Sequence, residues 1–177
     1  MKRYAILLAG LALVHLAPAR AEAQVNFGPY VAWADDIDLG VGGRVDVGLG
    51  NAFGAESGPF QNIFLNSGVA YFFWDCEQGF DFDEFDCSAF EINGNLAVPF
   101  TLEGSSIQPY AGAGLNLARF SVEAGDGPFA GERDDTEVGL NILGGIFFPI
   151  SDLRGFADAK IELGGGEQFV LSAGVLF

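Results

Sequence analysis

The residues best suited to chemistry are crowded into one short segment, DCEQGFDFDEFDC, residues 75–87. Acidic residues alternate there with three phenylalanines. Carboxylate oxygens at such spacing suit Ca²⁺, and the candidate ligands are Asp81, Asp83, Glu84 and Asp86. The spacing does not match an EF-hand loop, so no metal site is firmly predicted. A solvated acidic tip and a contact site for an extracellular ligand are the alternatives.

The first 23 residues have the order of a secretory signal peptide. A basic start is followed by the apolar run YAILLAGLALVHLA and by Ala21-x-Ala23, the small-residue pattern of a cleavage site. A buried N-terminal helix is the alternative. We therefore predict a signal peptide over residues 1–23 and a single mature domain over residues 24–177.

Export bears on the only two cysteines of the chain, Cys76 and Cys87. They are separated by ten residues within one acidic loop. Exported proteins meet an oxidising environment, in which such a pair is expected to form a disulfide. Two free thiols are the alternative.

Charge and hydrophobicity are both high in this chain. Loss of Lys2, Arg3, Arg20 and Glu22 with the signal peptide would leave 5 basic and 23 acidic residues, a formal net charge of −18. Such a surface repels nucleic acid, whose binding depends on clustered lysine and arginine. Because half of the residues are nevertheless hydrophobic, the charged and apolar side chains must be sorted in space.

Catalysis has little support in the sequence. The only histidine, His15, lies in the predicted signal peptide, so the mature chain would lack an imidazole for Ser-His or metal chemistry. The glycine patterns GVGG and GAG fall inside predicted strands rather than at strand-to-helix turns, so they are not phosphate loops. We predict neither an enzyme nor a bound cofactor.

Several segments alternate apolar and polar residues with the period of two that indicates a β-strand with two different faces. In residues 39–49, leucine and valine take one face, while Arg44, Asp46 and glycine take the other. The remaining charged residues on polar faces are Glu91, Glu137, Asp158, Lys160 and Glu162. With the less regular segments, eight strands are predicted: 25–33, 39–49, 62–74, 90–100, 107–120, 137–148, 156–163 and 167–177.

The lengths of these segments favour a membrane barrel. No stretch after residue 23 approaches the roughly 18 apolar residues of a spanning helix, whereas the segments are close to the roughly 9–11 residues of a tilted transmembrane strand. The polar face is rich in glycine, which suits the crowded interior of an eight-stranded barrel. We therefore predict an all-β fold, an eight-stranded antiparallel up-and-down transmembrane β-barrel. A sandwich with a solvated polar face is the alternative.

The charged residues of the polar faces are expected to pair inside this barrel. An unpaired charge in a narrow lumen would cost several kcal/mol, so each of the two cations is expected to lie among carboxylates. The predicted salt-bridge network, which would plug the lumen, comprises Arg44, Asp46, Glu91, Glu137, Asp158, Lys160 and Glu162.

The export signal, the eight alternating segments, QPYAGAGLN at residues 108–116 and the terminal LSAGVLF at residues 171–177 together resemble the small outer-membrane β-barrel family of OmpA, OmpX and opacity-protein type. The resemblance implies a location in the outer membrane of a Gram-negative-type envelope and contact with its lipid. It also implies insertion by the barrel-assembly machinery, with Phe177 as the assembly signal. Two loops depart from this pattern, 164–167 by being short and 52–61 by being long.

Three functions are consistent with these features. We favour a monomeric structural or surface-interaction barrel with a plugged lumen and with acidic loops 35–38, 75–87, 123–135 and 164–167 facing outward. The first alternative is a narrow, porin-like channel or lateral conduit for small molecules. The second is a soluble periplasmic carrier of lipocalin type.

Overall fold

The computed structural model describes residues 24–50, 58–74, 85–124, 132–164 and 168–177. Its strands in chain order are β1 (Val25–Ala34), β2 (Asp38–Gly48), β3 (Phe64–Trp74), β4 (Phe85–Pro99), β5 (Gln108–Ala124), β6 (Glu132–Ile150), β7 (Leu153–Leu163) and β8 (Phe169–Leu176). A 3-10 helix, Pro59–Asn62, precedes β3. Within the described ranges, no helix is long and apolar enough to cross a membrane.

Each strand pairs antiparallel with the next, and β8 pairs back with β1, so the sheet closes on itself. At the closing seam Tyr30 lies opposite Gly174. Further along the seam, the backbones of Phe27 and Phe177 exchange two hydrogen bonds of 3.3 and 2.9 Å. The predicted eight-stranded antiparallel up-and-down barrel is confirmed.

Three consecutive strands are longer than the alternating pattern predicts. β4, β5 and β6 contain 15, 17 and 19 residues, and their pairing continues to Phe85 opposite Ala124 and to Glu123 opposite Glu132. The extra residues are rich in charge, which is typical of loops. The backbone N–H and C=O groups of these charged residues nevertheless form hydrogen bonds between the two arms of each hairpin. The three strands therefore extend past their neighbours at one end of the barrel.

The alternation along each strand determines which side chains face outward. On β2, Val41 is 51% exposed whereas Arg44 is 4% exposed. On β6, the outward residues Val138, Leu140 and Ile142 are 65%, 57% and 54% exposed. Apolar residues therefore cover the outside of the barrel, and the polar residues face its interior.

Side chains occupy the interior of the barrel in layers. Near the end that carries the chain termini, the buried apolar residues are Phe64, Ala97, Tyr110, Leu143, Phe147, Phe156 and Leu176. Near the opposite end, they are Ala32, Ala34, Ile37, Ala70, Phe72, Ala89 and Val170. Along β4, for example, the inward residues between Ala97 and Ala89 are Asn95, Asn93 and Glu91, all buried. A polar layer therefore lies between two apolar ones.

Inward-facing glycines make room for this filling. A Cβ atom at Gly114 would lie 2.5 Å from the Cα atom of Asn95 and would press on the carbonyl group of Gly94. Gly94 itself faces outward, and a Cβ atom there would contact nothing. These two glycines are near neighbours on paired strands. Substituting each by alanine therefore distinguishes the loss of space inside the barrel from the general effect of replacing a glycine on stability.

We expect Gly114→Ala to lower the free energy of unfolding by about 1–3 kcal/mol, because the added methyl group overpacks the interior. Gly94→Ala is the matched control and should be neutral or stabilising by less than about 1 kcal/mol. The urea concentration at half-unfolding of the purified chain in detergent micelles measures both. Equal midpoints for the two variants would contradict this assignment of faces.

Candidate functional site

Arg44 forms one ionic centre of the polar layer. It projects inward from the middle of β2, and Asp46, two residues further on, shares the same face. The Nε and Nη2 atoms of Arg44 donate to the two carboxylate oxygens of Asp46 at 2.8 and 2.9 Å. Its Nη1 atom donates across the lumen to Oδ2 of Asp158 at 2.7 Å. The fork of the guanidinium thus binds one carboxylate in bidentate fashion and reaches a second.

Aromatic rings surround the same guanidinium. Its central carbon lies 4.1 Å from the ring centroid of Phe156 and 5.4 Å from those of Tyr110 and Phe147. The hydroxyl group of Tyr110 accepts a hydrogen bond from Nη1 at 3.1 Å and donates to Asp158 at 2.7 Å. Cation–π contact in a desolvated site adds to the stabilisation that the ion pairs give. Arg44 therefore contacts both the carboxylates of the polar layer and the rings of the apolar layer beside it.

Lys160 forms the second ionic centre, on β7. Its Nζ atom donates to Oε1 of Glu91, on the far side of the barrel, and to Oδ1 of Asn93 at 3.0 Å. It also forms an ion pair with Glu162, whose Oε1 atom lies 2.5 Å from Nζ. Two amides complete the surroundings of Oε2 of Glu162, with donor–acceptor distances of 2.8 Å for Asn116 and 2.6 Å for Gln168. Residues from three strands, β4, β5 and β7, and Gln168 just before β8 make up this centre.

A chain of asparagine side chains connects the two centres. The Nδ2 atom of Asn66 donates to Asp46 at 3.0 Å, and that of Asn95 donates to Oδ1 of Asn66 at 3.1 Å. Asn141 donates to Oδ1 of Asn95 at 3.0 Å and to Oδ1 of Asn93 at 2.6 Å. Since Asn93 accepts a hydrogen bond from Lys160, the polar layer is one continuous network across the lumen.

Six of the seven residues predicted for the lumen network lie in these two centres: Arg44, Asp46, Glu91, Asp158, Lys160 and Glu162. Glu137 does not join them. It occupies the inner face of β6 and is partly exposed, but β6 pairs with β7 only from Leu140 onward. Glu137 therefore lies past the end of β7, away from Lys160.

The amide residues and Tyr110 were not part of the predicted network. The missed side chains are Asn66, Asn93, Asn95, Tyr110, Asn116, Asn141 and Gln168. The sequence carried a usable signal for three of them, because Asn93 and Asn95 share the parity of Glu91 on β4, and Asn141 shares that of Glu137 on β6. An amide donates and accepts at once, so asparagine on the inner face can link charged centres that lie too far apart to touch.

Other predicted site residues lie elsewhere. Cys76, Asp81, Asp83 and Glu84 fall on residues 75–84, outside the described ranges. The backbones of Asp86 and Cys87 belong to β4 and lie opposite Glu123 and Val122. Phe177 follows β8, is 56% exposed, and its ring centroid lies 6.0 Å from that of Phe27.

No group of three or more His, Cys, Asp or Glu residues suited to a metal occurs in the described part of the chain.

Two cavities flank the Arg44–Asp46 pair. An internal cavity of about 40 Å³ is lined by Arg44, Lys160 and Phe156 among others, which is room for a few water molecules. A larger vestibule of about 260 Å³ opens at the end with the chain termini and is lined by Asp46 and Phe147 among others. Arg44 lines the first cavity and Asp46 the second, so the ion pair and the neighbouring rings separate them.

Comparison with known proteins bears on the fold. No protein-family model matches the chain, and no curated protein matches it by sequence. Solved barrels do match its structure. A major outer membrane protein from Thermus thermophilus has a TM-score of 0.58 at 12% identity, covering 89% of this chain and 99% of that chain. Neisserial surface protein A has a TM-score of 0.56 at 19% identity, covering 88% and 98%.

A third match is the N-terminal β-barrel domain of Pseudomonas aeruginosa OprF, with a TM-score of 0.55 at 14% identity, covering 88% of this chain and 98% of that chain. The fold is that of the small outer-membrane β-barrels. The resemblance predicted from the sequence is thereby confirmed for the fold. At such low identity the roles of the lumen residues have to be argued from their own contacts.

We expect Arg44→Met to lower the free energy of unfolding by about 3–5 kcal/mol, because it leaves the carboxylates of Asp46 (buried) and Asp158 (partly buried) without their cation. Arg154→Met is the matched control. Arg154 is partly exposed and lies 4.7 Å from the ring centroid of Phe147, so its loss should cost less than about 1 kcal/mol. Urea unfolding followed by tryptophan fluorescence compares the two. Similar losses for both variants would show that the Arg44 ion pairs do not stabilise the barrel.

Proposed function

We propose that this chain is an outer-membrane β-barrel protein with a closed lumen that serves a structural or surface-interaction role through its acidic connections. The observation that carries the proposal is the sorting of side chains between the two faces. The outer face presents aliphatic residues such as Val138, Leu140 and Ile142, each more than half exposed, whereas Arg44 and Lys160 are buried in ion pairs. In water such an outer face would promote aggregation, whereas hydrocarbon suits it.

The layered interior supports a closed lumen rather than a pore. From one end to the other, a path would have to pass the aromatic residues around Arg44, the asparagine network and the apolar cluster near Phe72. Ile37, in the connection between β1 and β2, is 3% exposed and belongs to that last cluster. The structural or surface-interaction role is therefore favoured over a channel for small molecules.

The proposed interaction surface is the end opposite the chain termini. Loops 35–38, 75–87, 123–135 and 164–167 contain fifteen acidic residues and a single basic one, Arg133. The strand register sets Asp86 opposite Glu123 and Glu123 opposite Glu132. So large an excess of acidic residues at one end of the barrel attracts cations. A partner for this end would therefore be cationic, either Ca²⁺ at loop 75–87 or a basic protein surface.

The proposed role requires export of the chain and its insertion into the outer membrane. Residues 1–23 would direct export and be removed, and Phe177 would act as the assembly signal at the end of β8. A Cys76–Cys87 disulfide would close the acidic loop and stabilise it by roughly 3 kcal/mol at most in the chain-entropy model. Mature protein starting at Gln24 and lacking reactive thiols is the expected product.

Membrane insertion is tested first by fractionation. The full chain, expressed in a Gram-negative host, should appear in the outer-membrane fraction, dissolve only with detergent and migrate differently in SDS gels before and after boiling. A hydrocarbon-facing belt resists extraction by aqueous buffer, which is the physical reason for this expectation. Recovery in a detergent-free periplasmic extract would instead favour the lipocalin-like carrier.

A pair of variants makes this test independent of expression level. Ile142→Arg introduces a charge at the middle of the outer face, and Leu102→Arg introduces one in the turn between β4 and β5, where Leu102 is 49% exposed. In lipid vesicles the first should destabilise the barrel by about 2–4 kcal/mol and the second by at most about 1 kcal/mol. Equal tolerance of both substitutions would contradict contact with hydrocarbon.

Closure of the lumen has its own test. Wild-type protein reconstituted in liposomes should give no swelling in small sugars and no ion conductance above that of empty liposomes, because the interior is packed. A general porin reconstituted in the same way serves as the open control. Swelling or conductance of the wild type above that of empty liposomes would support the channel alternative.

A further inference from the structure

Hydrogen-bond acceptors outnumber donors around Lys160. Four buried side-chain oxygens of this region have no hydrogen-bond donor: Glu91 Oε2, Asn116 Oδ1, Asn141 Oδ1 and Glu162 Oε1. The residues that carry them are at most 2% exposed. Orphaned buried polar atoms are costly, and here all four are acceptors. What the centre lacks is therefore a donor or a positive charge.

The charges of the same centre do not balance. One ammonium group, Lys160, meets two carboxyl groups, Glu91 and Glu162. The Oε1 atoms of Glu91 and Glu162 both contact the Nζ atom of Lys160, so the two carboxyl groups lie side by side. An ionised carboxylate only accepts hydrogen bonds, and two ionised carboxylates in contact repel each other strongly. Such a contact is stable when a proton lies between the two groups.

The Arg44 centre shows why the deficit is local to Lys160. It also sets one cation against two carboxylates, Asp46 and Asp158, but the guanidinium directs three N–H groups at them. The hydroxyl group of Tyr110 and the amide of Asn66 add two more donors. A lysine has only three donors in total, and one of those of Lys160 is directed at Asn93.

The other groups that face the glutamate pair do not supply the missing charge. Across the internal cavity lie Tyr30 on β1, Arg44 on β2 and Asp158 on β7, and the charge of Arg44 is already shared by its own two carboxylates. Strands β5 and β6 and the residue before β8 contribute amides only: Asn116, Asn141 and Gln168. Among the described residues, Lys160 is the cation that touches the pair.

We propose that Glu91 and Glu162 bind one proton between them in the folded barrel, so that the Lys160 centre is a proton-binding site. The proton supplies the donor that the geometry requires and reduces the surplus negative charge to zero. A metal ion would fit less well, because the ammonium group of Lys160 lies 2.5 Å from Glu162 Oε1 and would repel it. The inference does not depend on the role proposed for the acidic loops.

The site makes stability depend on pH with a definite sign. In the unfolded chain both glutamates ionise above about pH 4.3, the ordinary value for this residue. The folded state then holds one proton more than the unfolded state, so raising the pH destabilises the barrel. One proton corresponds to a tenfold increase in the unfolding equilibrium constant for each pH unit. The effect ends at the pH at which the folded barrel also releases its proton.

The experiment is urea unfolding of the full chain in detergent micelles between about pH 5 and pH 8. The wild type should lose stability toward the tenfold-per-unit limit across this range. Glu162→Gln should be nearly independent of pH, because the amide supplies the donor permanently. The control, Glu103→Gln, lies in the exposed turn between β4 and β5 and should keep the wild-type pH dependence.

A second measurement keeps the proposal falsifiable if Glu162→Gln does not fold. Infrared spectra of the wild type with isotope-labelled glutamate should show a protonated carboxyl group at neutral pH. Absence of that band, or equal pH dependence of the wild type and a folded Glu162→Gln variant, would overturn the proposal. Stabilisation by Na⁺ at neutral pH and constant ionic strength would identify a metal cation as the occupant and would overturn it as well.

Discussion

Burial of Arg44 and Lys160 is the constraint on which the interior of this barrel depends. The ring of an eight-stranded barrel is just wide enough for side chains to fill, and these two cations are 4% and 7% exposed. Neither can rely on water, so carboxylates from distant strands must reach them. The resulting bonds, Arg44 to Asp158 and Lys160 to Glu91, join β2 and β4 to β7 across the lumen, where backbone pairing cannot.

The choice of cation sets the character of each centre. Arginine offers a planar fork with five donors, and it stacks on aromatic rings, as Arg44 does on Phe156. Lysine offers a compact charge with three donors, and at Lys160 these leave Glu91 Oε2 without a partner. The hydrogen bonds of the first centre are therefore satisfied, whereas the second has room for one more positive charge. The asparagines between them couple the two through a single network.

Parity along the strands made the fold and the inward-facing charges predictable, because a period of two assigns every residue of a strand to one face. It could not predict which inward residues meet, since this depends on the stagger between strands. Glu91 and Glu137 look alike in sequence, yet only Glu91 lies at the level of Lys160. Charged residues at Glu123 and Glu132 were predicted to be loop, although strand pairing continues through them.

In the proposed surface-interaction role, a partner would contact one end of the barrel because side chains fill the lumen, and the strand lengths indicate which end is better suited. The connection after β1 is bonded to the start of β8. The backbone N–H of Phe169 donates to Oδ1 of Asp35 at 2.8 Å, and the backbone N–H of Asp35 donates to the carbonyl oxygen of Phe169 at 3.1 Å. β4, β5 and β6 instead continue past the other strands with acidic residues at paired positions, Asp86, Glu123 and Glu132. Strand pairing fixes their backbones before any partner arrives, so a cationic partner would lose little entropy in ordering them. In the proposed role, this three-stranded extension is therefore the part of the barrel best prepared to bind.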